Sequence, residues 1–199
     1  MIGDLTVLWL AAFPLMGSPG PATLSLAAIG AAFGYRAGLP YLAGIVTGTI
    51  GVLLMIATGV TGLIVAQPVL ARTLAVAAAL YILYLAFKIA TAPPLAKAAA
   101  GRDHPPFAAG FALAIANPKA FAAIAAVYAG QRLLAGDLVL DAVAKIAALS
   151  VVIVAVNAAW LVFGAMMSTL LRDPVTARVA NIAFAVMLVV SVLLALLTR

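Results

Sequence analysis

The chain has 199 residues, of which 67% are hydrophobic and only 8% charged, and its mean hydropathy is +1.28. A soluble domain with so little charge could not cover its own surface, so the composition predicts a polytopic helical membrane protein. The net charge of +6 sits on basic residues scattered singly at the ends of apolar runs, an anchoring pattern and not a nucleic-acid surface. There is no cysteine and a single histidine, His104, which excludes disulfides, thiolate chemistry and a His/Cys metal site.

In chain order, the N-terminus carries Asp4 instead of a basic stretch, and the apolar run from Leu5 is too long for a cleaved signal. It is read as a retained first span, Leu5 to Phe33, strained at Pro14 and interrupted at Ser18-Pro19-Gly20-Pro21. Gly34 to Gly38 reads as a turn. A second span, Leu39 to Ala66, holds Gly44 and Gly48, a pair that lets another helix approach closely. Pro68 suits the first turn of a third span, Val69 to Thr91. The polar stretch 93–106 then divides the chain into halves, residues 1–92 and 107–199. The fourth span, Phe107 to Gly130, is split by Asn117-Pro118-Lys119. Gln131 to Asp141 is polar, with Asp141 and Lys145 one helical turn apart. A fifth span is expected over Val143 to Leu171 and a sixth over Val175 to Leu196, separated by Arg172-Asp173-Pro174. The predicted fold is thus all-α: six transmembrane helices in two inverted three-helix repeats, with helices 1 and 4 broken.

The two interruptions carry the functional reading. A proline lacks an N–H, and its ring collides with the carbonyl four residues back. Two of them astride Gly20 should free the carbonyls of about Leu15 to Gly17 and the N–H groups of Ala22 to Leu24. In hydrocarbon such groups must be satisfied by protein, water or a ligand. Paired interruptions at corresponding places in two halves point to a transporter's binding site. The candidate substrate-binding residues are Ser18, Pro19, Gly20, Pro21 and Thr23 at the first break, Asn117, Pro118 and Lys119 at the second, and Asn157 in the fifth span. Asn157 also reads as a hydrogen-bonding bridge between helices.

Lys119 is the one charge that cannot be moved comfortably to a membrane surface. Asn117 suits an N-cap and Pro118 a first helical position, so Lys119 should stand beside the unpaired N–H groups of a half-helix. That concentration of positive potential predicts an anion site, and a substrate carboxylate fits it. In a second reading the fourth segment is re-entrant and Lys119 snorkels to water. No Asp lies in the middle of any span, so no proton-carrying carboxylate is evident.

Lys and Arg counts give an orientation. Arg36, Lys88, Lys97, Arg102, Arg172 and Arg178 lie on one side; Arg72, Arg132, Lys145 and Arg199 lie with the termini. The excess places the central linker in the cytoplasm and both termini in the periplasm.

The chain resembles the LysE/RhtB family of bacterial amino-acid exporters over nearly its whole length. The resemblance rests on Pro19-Gly20-Pro21, Gly34-Tyr35-Arg36-Ala37-Gly38, Gly44/Gly48, Tyr84-Leu85-Ala86-Phe87-Lys88 and Asn117-Pro118-Lys119. It implies a non-enzymatic secondary transporter that exports an amino acid or related zwitterion across the bacterial inner membrane. The implied partners are that substrate, a coupling ion (proton or sodium), the lipid bilayer and a second copy in a homodimer, with no nucleic acid and no cofactor. The chain departs from the family at Thr49, where an acidic residue is frequent, and at Phe87, where glycine is usual. Competing readings are a metal-cation exporter, which would want intramembrane Asp, Glu, His or Cys, and a non-transporting scaffold in which the breaks are only kinks.

Overall fold

The computed structural model describes residues 2–59, 106–167 and 173–197 continuously, with single positions between 67 and 91. The regular elements among them are all helices: α1 (Ile2–Gly17), α2 (Pro21–Ala57), α3 (Phe107–Ala116), α4 (Pro118–Gly130), α5 (Leu138–Met167) and α6 (Pro174–Leu197). The third apolar run is helical at its described positions from 69 to 90, among them 76 and 83, and Thr91 is in a turn. The expected helix start at Pro68 and the linker 93–105 with His104 lie outside the described residues. Two helices, Pro21–Ala57 and Leu138–Met167, are each long and apolar enough to cross a membrane; Phe107–Ala116 with Pro118–Gly130, bent by 61°, makes a third candidate.

α2 is not a single rod. Gly34 interrupts it with φ 81° and ψ 169°, a conformation that glycine adopts freely because it lacks Cβ. The chain folds back there. The Tyr41 hydroxyl donates to Ser25 Oγ at 3.1 Å across a separation of 16 residues, which a straight helix would hold about 24 Å apart. The expected turn over 34–38 therefore shrinks to Gly34, and Tyr35 already begins the second arm. That arm closes at Ala57 instead of running unbroken to Ala66. The Thr58 hydroxyl donates to the Leu54 carbonyl at 2.8 Å, and Gly59 takes the positive φ of 76° that ends many helices.

Other boundaries follow from caps. α5 starts five residues before Val143 because Asp137 Oδ1 accepts the N–H groups of Val139 at 2.9 Å and Leu140 at 3.0 Å. Asp141 and Lys145 are consequently inside the helix. α6 opens at Pro174 behind Asp173, whose carboxylate accepts the Thr176 hydroxyl at 2.7 Å and its N–H at 2.9 Å. Those two bonds, the hydroxyl's first, hold the exposed Asp173 carboxyl below its ordinary range.

Close backbone contacts set the helix directions. Trp9 Nε1 donates to the Ala148 carbonyl at 3.2 Å and Trp160 Nε1 to that of Gly17 at 3.0 Å, while Gly30 faces Leu161 and Ala165. α5 therefore runs parallel to the span formed by α1 and the first arm of α2. In the same way Gly44 faces Phe107 and Phe111, and Gly48 faces Phe111 and Ala114, so α3 runs parallel to the second arm. Because the two arms of α2 are antiparallel, the two broken spans run in opposite directions.

Buried apolar side chains gather in two clusters. One holds Leu26, Ile29, Tyr41, Ile45, Leu113 and Leu161; the other holds Leu8, Val52, Ile124, Leu149, Val152 and Ile153. The outward positions are also large and apolar: Leu10, Val151, Val154, Phe163, Met166 and Val179 are all exposed. An apolar belt of that kind is a lipid-facing surface.

Candidate functional site

Ser18, Pro19 and Gly20 separate α1 from α2, as the missing proline N–H groups require. Pro21 is the buried first residue of α2, where its lack of an N–H costs nothing. Gly20 is extended, with φ −175° and ψ 179°. The buried Thr23 hydroxyl closes this helix start: it accepts the Gly20 N–H at 2.9 Å and lies 3.1 Å from the Gly20 carbonyl. On the other side of the break, the Leu15 carbonyl takes the Ser18 hydroxyl at 3.0 Å and the Gly17 carbonyl takes Trp160. The carbonyls of Ser18 and Pro19 take neither.

The Thr23 hydroxyl lies 3.4 Å from the Ser18 carbonyl, and a charged partner for both carbonyls comes from a hundred residues away. At the second break Asn117 caps α4, its side-chain oxygen accepting the Lys119 N–H at 3.2 Å, with Pro118 as first residue. The Lys119 side chain crosses to the first break, where Nζ donates to the Ser18 carbonyl and, at 3.3 Å, to the Pro19 carbonyl. This corrects the expectation that its ammonium stands unpaired among N–H groups at the start of α4. The half-buried cation instead neutralises the carbonyl end of α1, the negative pole of that helix. The lysine stem passes against Gly20 so closely that a Cβ there would lie 2.6 Å from Lys119 Cδ.

A cavity of about 40 Å³ opens beside this crossing. Of the residues expected to form a site, Gly20, Thr23, Asn117, Lys119 and Asn157 line it; Ser18, Pro19, Pro21 and Pro118 shape the two breaks without lining it. Met16, Ile124, Ile153 and Val156 give an apolar wall, and Ala22, Ala120 and Ala123 leave space. Thr49 also lines the cavity, with its hydroxyl turned to the Ile45 carbonyl at 2.7 Å. Its position where relatives are often acidic was the signal that could have added it to the site. Among the described residues Asn157 makes no bridge between helices; its amide donates to Ile153 of its own helix at 2.8 Å. Among the described residues Lys119 is the one ionisable side chain on the lining.

Thr23→Val tests how much the first break depends on its cap. The substitution keeps the shape but leaves the buried Gly20 N–H without an acceptor, at a cost of about 1–3 kcal/mol. A lowered melting temperature in detergent is expected; an unchanged melt would show that water replaces the hydroxyl.

A bundle with a lipid-facing apolar surface and two opposed broken spans meeting at a polar cavity is built as a membrane transporter is built. The chain belongs to the LysE type translocator family, whose model matches residues 14–198. Members of that family are transporters, not enzymes. No curated protein and no solved structure matches the chain.

Proposed function

We propose that this translocator exports an amino acid or a related small zwitterion across the bacterial inner membrane, working as two inverted repeats of three spans. One observation carries the reading: both helix breaks converge on one cavity, where Lys119 from the second break meets the carbonyls of the first. The cavity and the Ser18 and Pro19 carbonyls at its edge together offer the two chemistries a zwitterion needs. An ammonium and amide donors suit its carboxylate, and carbonyl oxygens suit its α-ammonium. Ser18, Pro19, Gly20, Pro21 and Thr23 form one side of this site, and Asn117, Pro118, Lys119 and Asn157 the other.

The repeat reading is supported by the way the halves exchange partners. The first broken span packs along α5, and the second packs along the second arm of α2. A repeat related to its copy by a two-fold axis in the membrane plane would place the elements this way. The Lys and Arg count puts both termini in the periplasm, and the coupling ion is a proton or sodium.

An overexpressing strain should resist growth inhibition by its substrate and should release that amino acid faster than an empty-vector strain. Purified protein in proteoliposomes should then show counterflow of the radiolabelled compound. No protection and no counterflow across the twenty common amino acids would remove this reading.

A further inference from the structure

Lys119 places a primary ammonium on two backbone carbonyls, the arrangement in which a free amino group would bind. Two other observations point to a ligand here. Asn117 is only 4% exposed and lines the cavity, and its side-chain amide makes one bond, through the oxygen, to the Lys119 N–H. Its NH2 donors have no partner among the described residues. Asn157, 6% exposed and also on the lining, donates to Ile153 and leaves its own oxygen without a partner among the described residues. Buried amide groups are seldom left so in a finished core. Lys119 lines the cavity and covers the Ser18 and Pro19 carbonyls, so a molecule reaches those oxygens only if the lysine side chain moves.

We propose that the Ser18–Pro19 carbonyl pair is the site of the substrate's ammonium, and that Lys119 occupies it as a resident substitute until substrate displaces it. This rests on the zwitterion reading above and deepens it. The charges close. A zwitterion gives its ammonium to the vacated carbonyls, and its carboxylate meets the displaced Lys119 ammonium and the Asn117 NH2. No proton is transferred and no further ion is needed at this step. A plain amine brings no carboxylate, so it would leave two cations side by side against Met16, Ile124, Ile153 and Val156 with no counter-charge, and it is refused. A plain carboxylate would pull Lys119 away and leave both carbonyls without a cation. Lys119 thereby sets the selectivity for molecules carrying both groups. Among the described residues no other ionisable group lines the cavity. Asp4 lies at the far end of α1, Tyr41 bonds Ser25, Arg36 is exposed beside the Gly34 turn, and Asp141, Lys145 and Tyr128 interact with one another.

Binding of alanine, ethylammonium and propionate to the purified full-length protein in nanodiscs, measured by calorimetry, tests this. Wild type should bind alanine and neither of the others. Lys119→Met vacates the carbonyls, so ethylammonium should now bind at least about tenfold tighter than to wild type, while alanine loses its advantage over it. Gly20→Ala keeps the charge but crowds the lysine stem. It weakens the resident and should tighten alanine severalfold. Equal ethylammonium binding by wild type and Lys119→Met overturns the proposal. If Lys119→Met does not fold, the Gly20→Ala arm decides, and unchanged alanine affinity there overturns it. A wild type that ignores every amino acid, with ethylammonium still gained by Lys119→Met, would sink the zwitterion substrate and leave the carbonyl site standing.

Discussion

Asp141→Ala should destabilise the protein by about 3–5 kcal/mol, the usual result of removing one partner from a buried ion pair. Asp141 is 4% exposed and Lys145 7%, and they pair at 2.9 Å one turn apart in α5. Each also holds the chain that leads into α5. Asp141 Oδ1 accepts the N–H groups of Leu133 at 2.7 Å and Leu134 at 3.0 Å. Lys145 Nζ donates to the carbonyls of Tyr128 at 3.2 Å and Gln131 at 3.3 Å, and sits 4.2 Å from the centre of the Tyr128 ring. The pair is a clasp between the end of α4 and the first turns of α5. Removing the aspartate strands the Leu133 and Leu134 N–H groups and takes the counter-charge from Lys145, which keeps only the Tyr128 and Gln131 carbonyls and the Tyr128 ring. Lys145→Met should cost less, because Asp141 keeps its two backbone donors. Unfolding in detergent, followed by circular dichroism, ranks the two variants; a loss below about 1 kcal/mol for Asp141→Ala, typical of a surface pair, would show that water reaches the clasp.

Gly164→Ala is the second large effect. A Cβ on Gly164 would run into the carbonyl of Ala27, and one on Gly30 into the backbone of Leu161 and Ala165. Both obstacles are main chain, so no rotamer change relieves them, and the helices must separate along the face that carries the first break. Overpacking typically costs about 1–3 kcal/mol, and a backbone collision belongs at the top of that range. Transport should fall as well, because Trp160 on the same helix would be drawn from the Gly17 carbonyl. Gly51→Ala is the control. Its Cβ would meet Ile115 Cδ1 at an ordinary 3.5 Å, and alanine's helix propensity favours it by up to about 1 kcal/mol. Equal melting temperatures for the two alanine variants would mean that the α2–α5 contact is looser than described.

Much of the site was legible in the sequence because proline and glycine act on their own few residues. Pro19 and Pro21 lack N–H groups whatever surrounds them, so the break between α1 and α2 could be placed before any fold was known. Asn117-Pro118 starts α4 for the same local reason, and Gly34 turns the chain where it was expected to turn. Nothing local says what satisfies the groups set free. Lys119 was expected to stand alone beside N–H donors because its carbonyl partners are 101 and 100 residues distant, and only the packing of α4 against the first break brings them together. The buried face of α5 was likewise hidden, since its sequence is apolar all round and no period marks Leu149, Val152, Ile153 and Val156 as inward. Composition and the backbone demands of single residues thus determined the membrane setting and the places where the two broken spans are interrupted. The tertiary structure decided which charge meets which carbonyl, because pairing through space depends on helix directions and close approach that no short stretch of chain encodes.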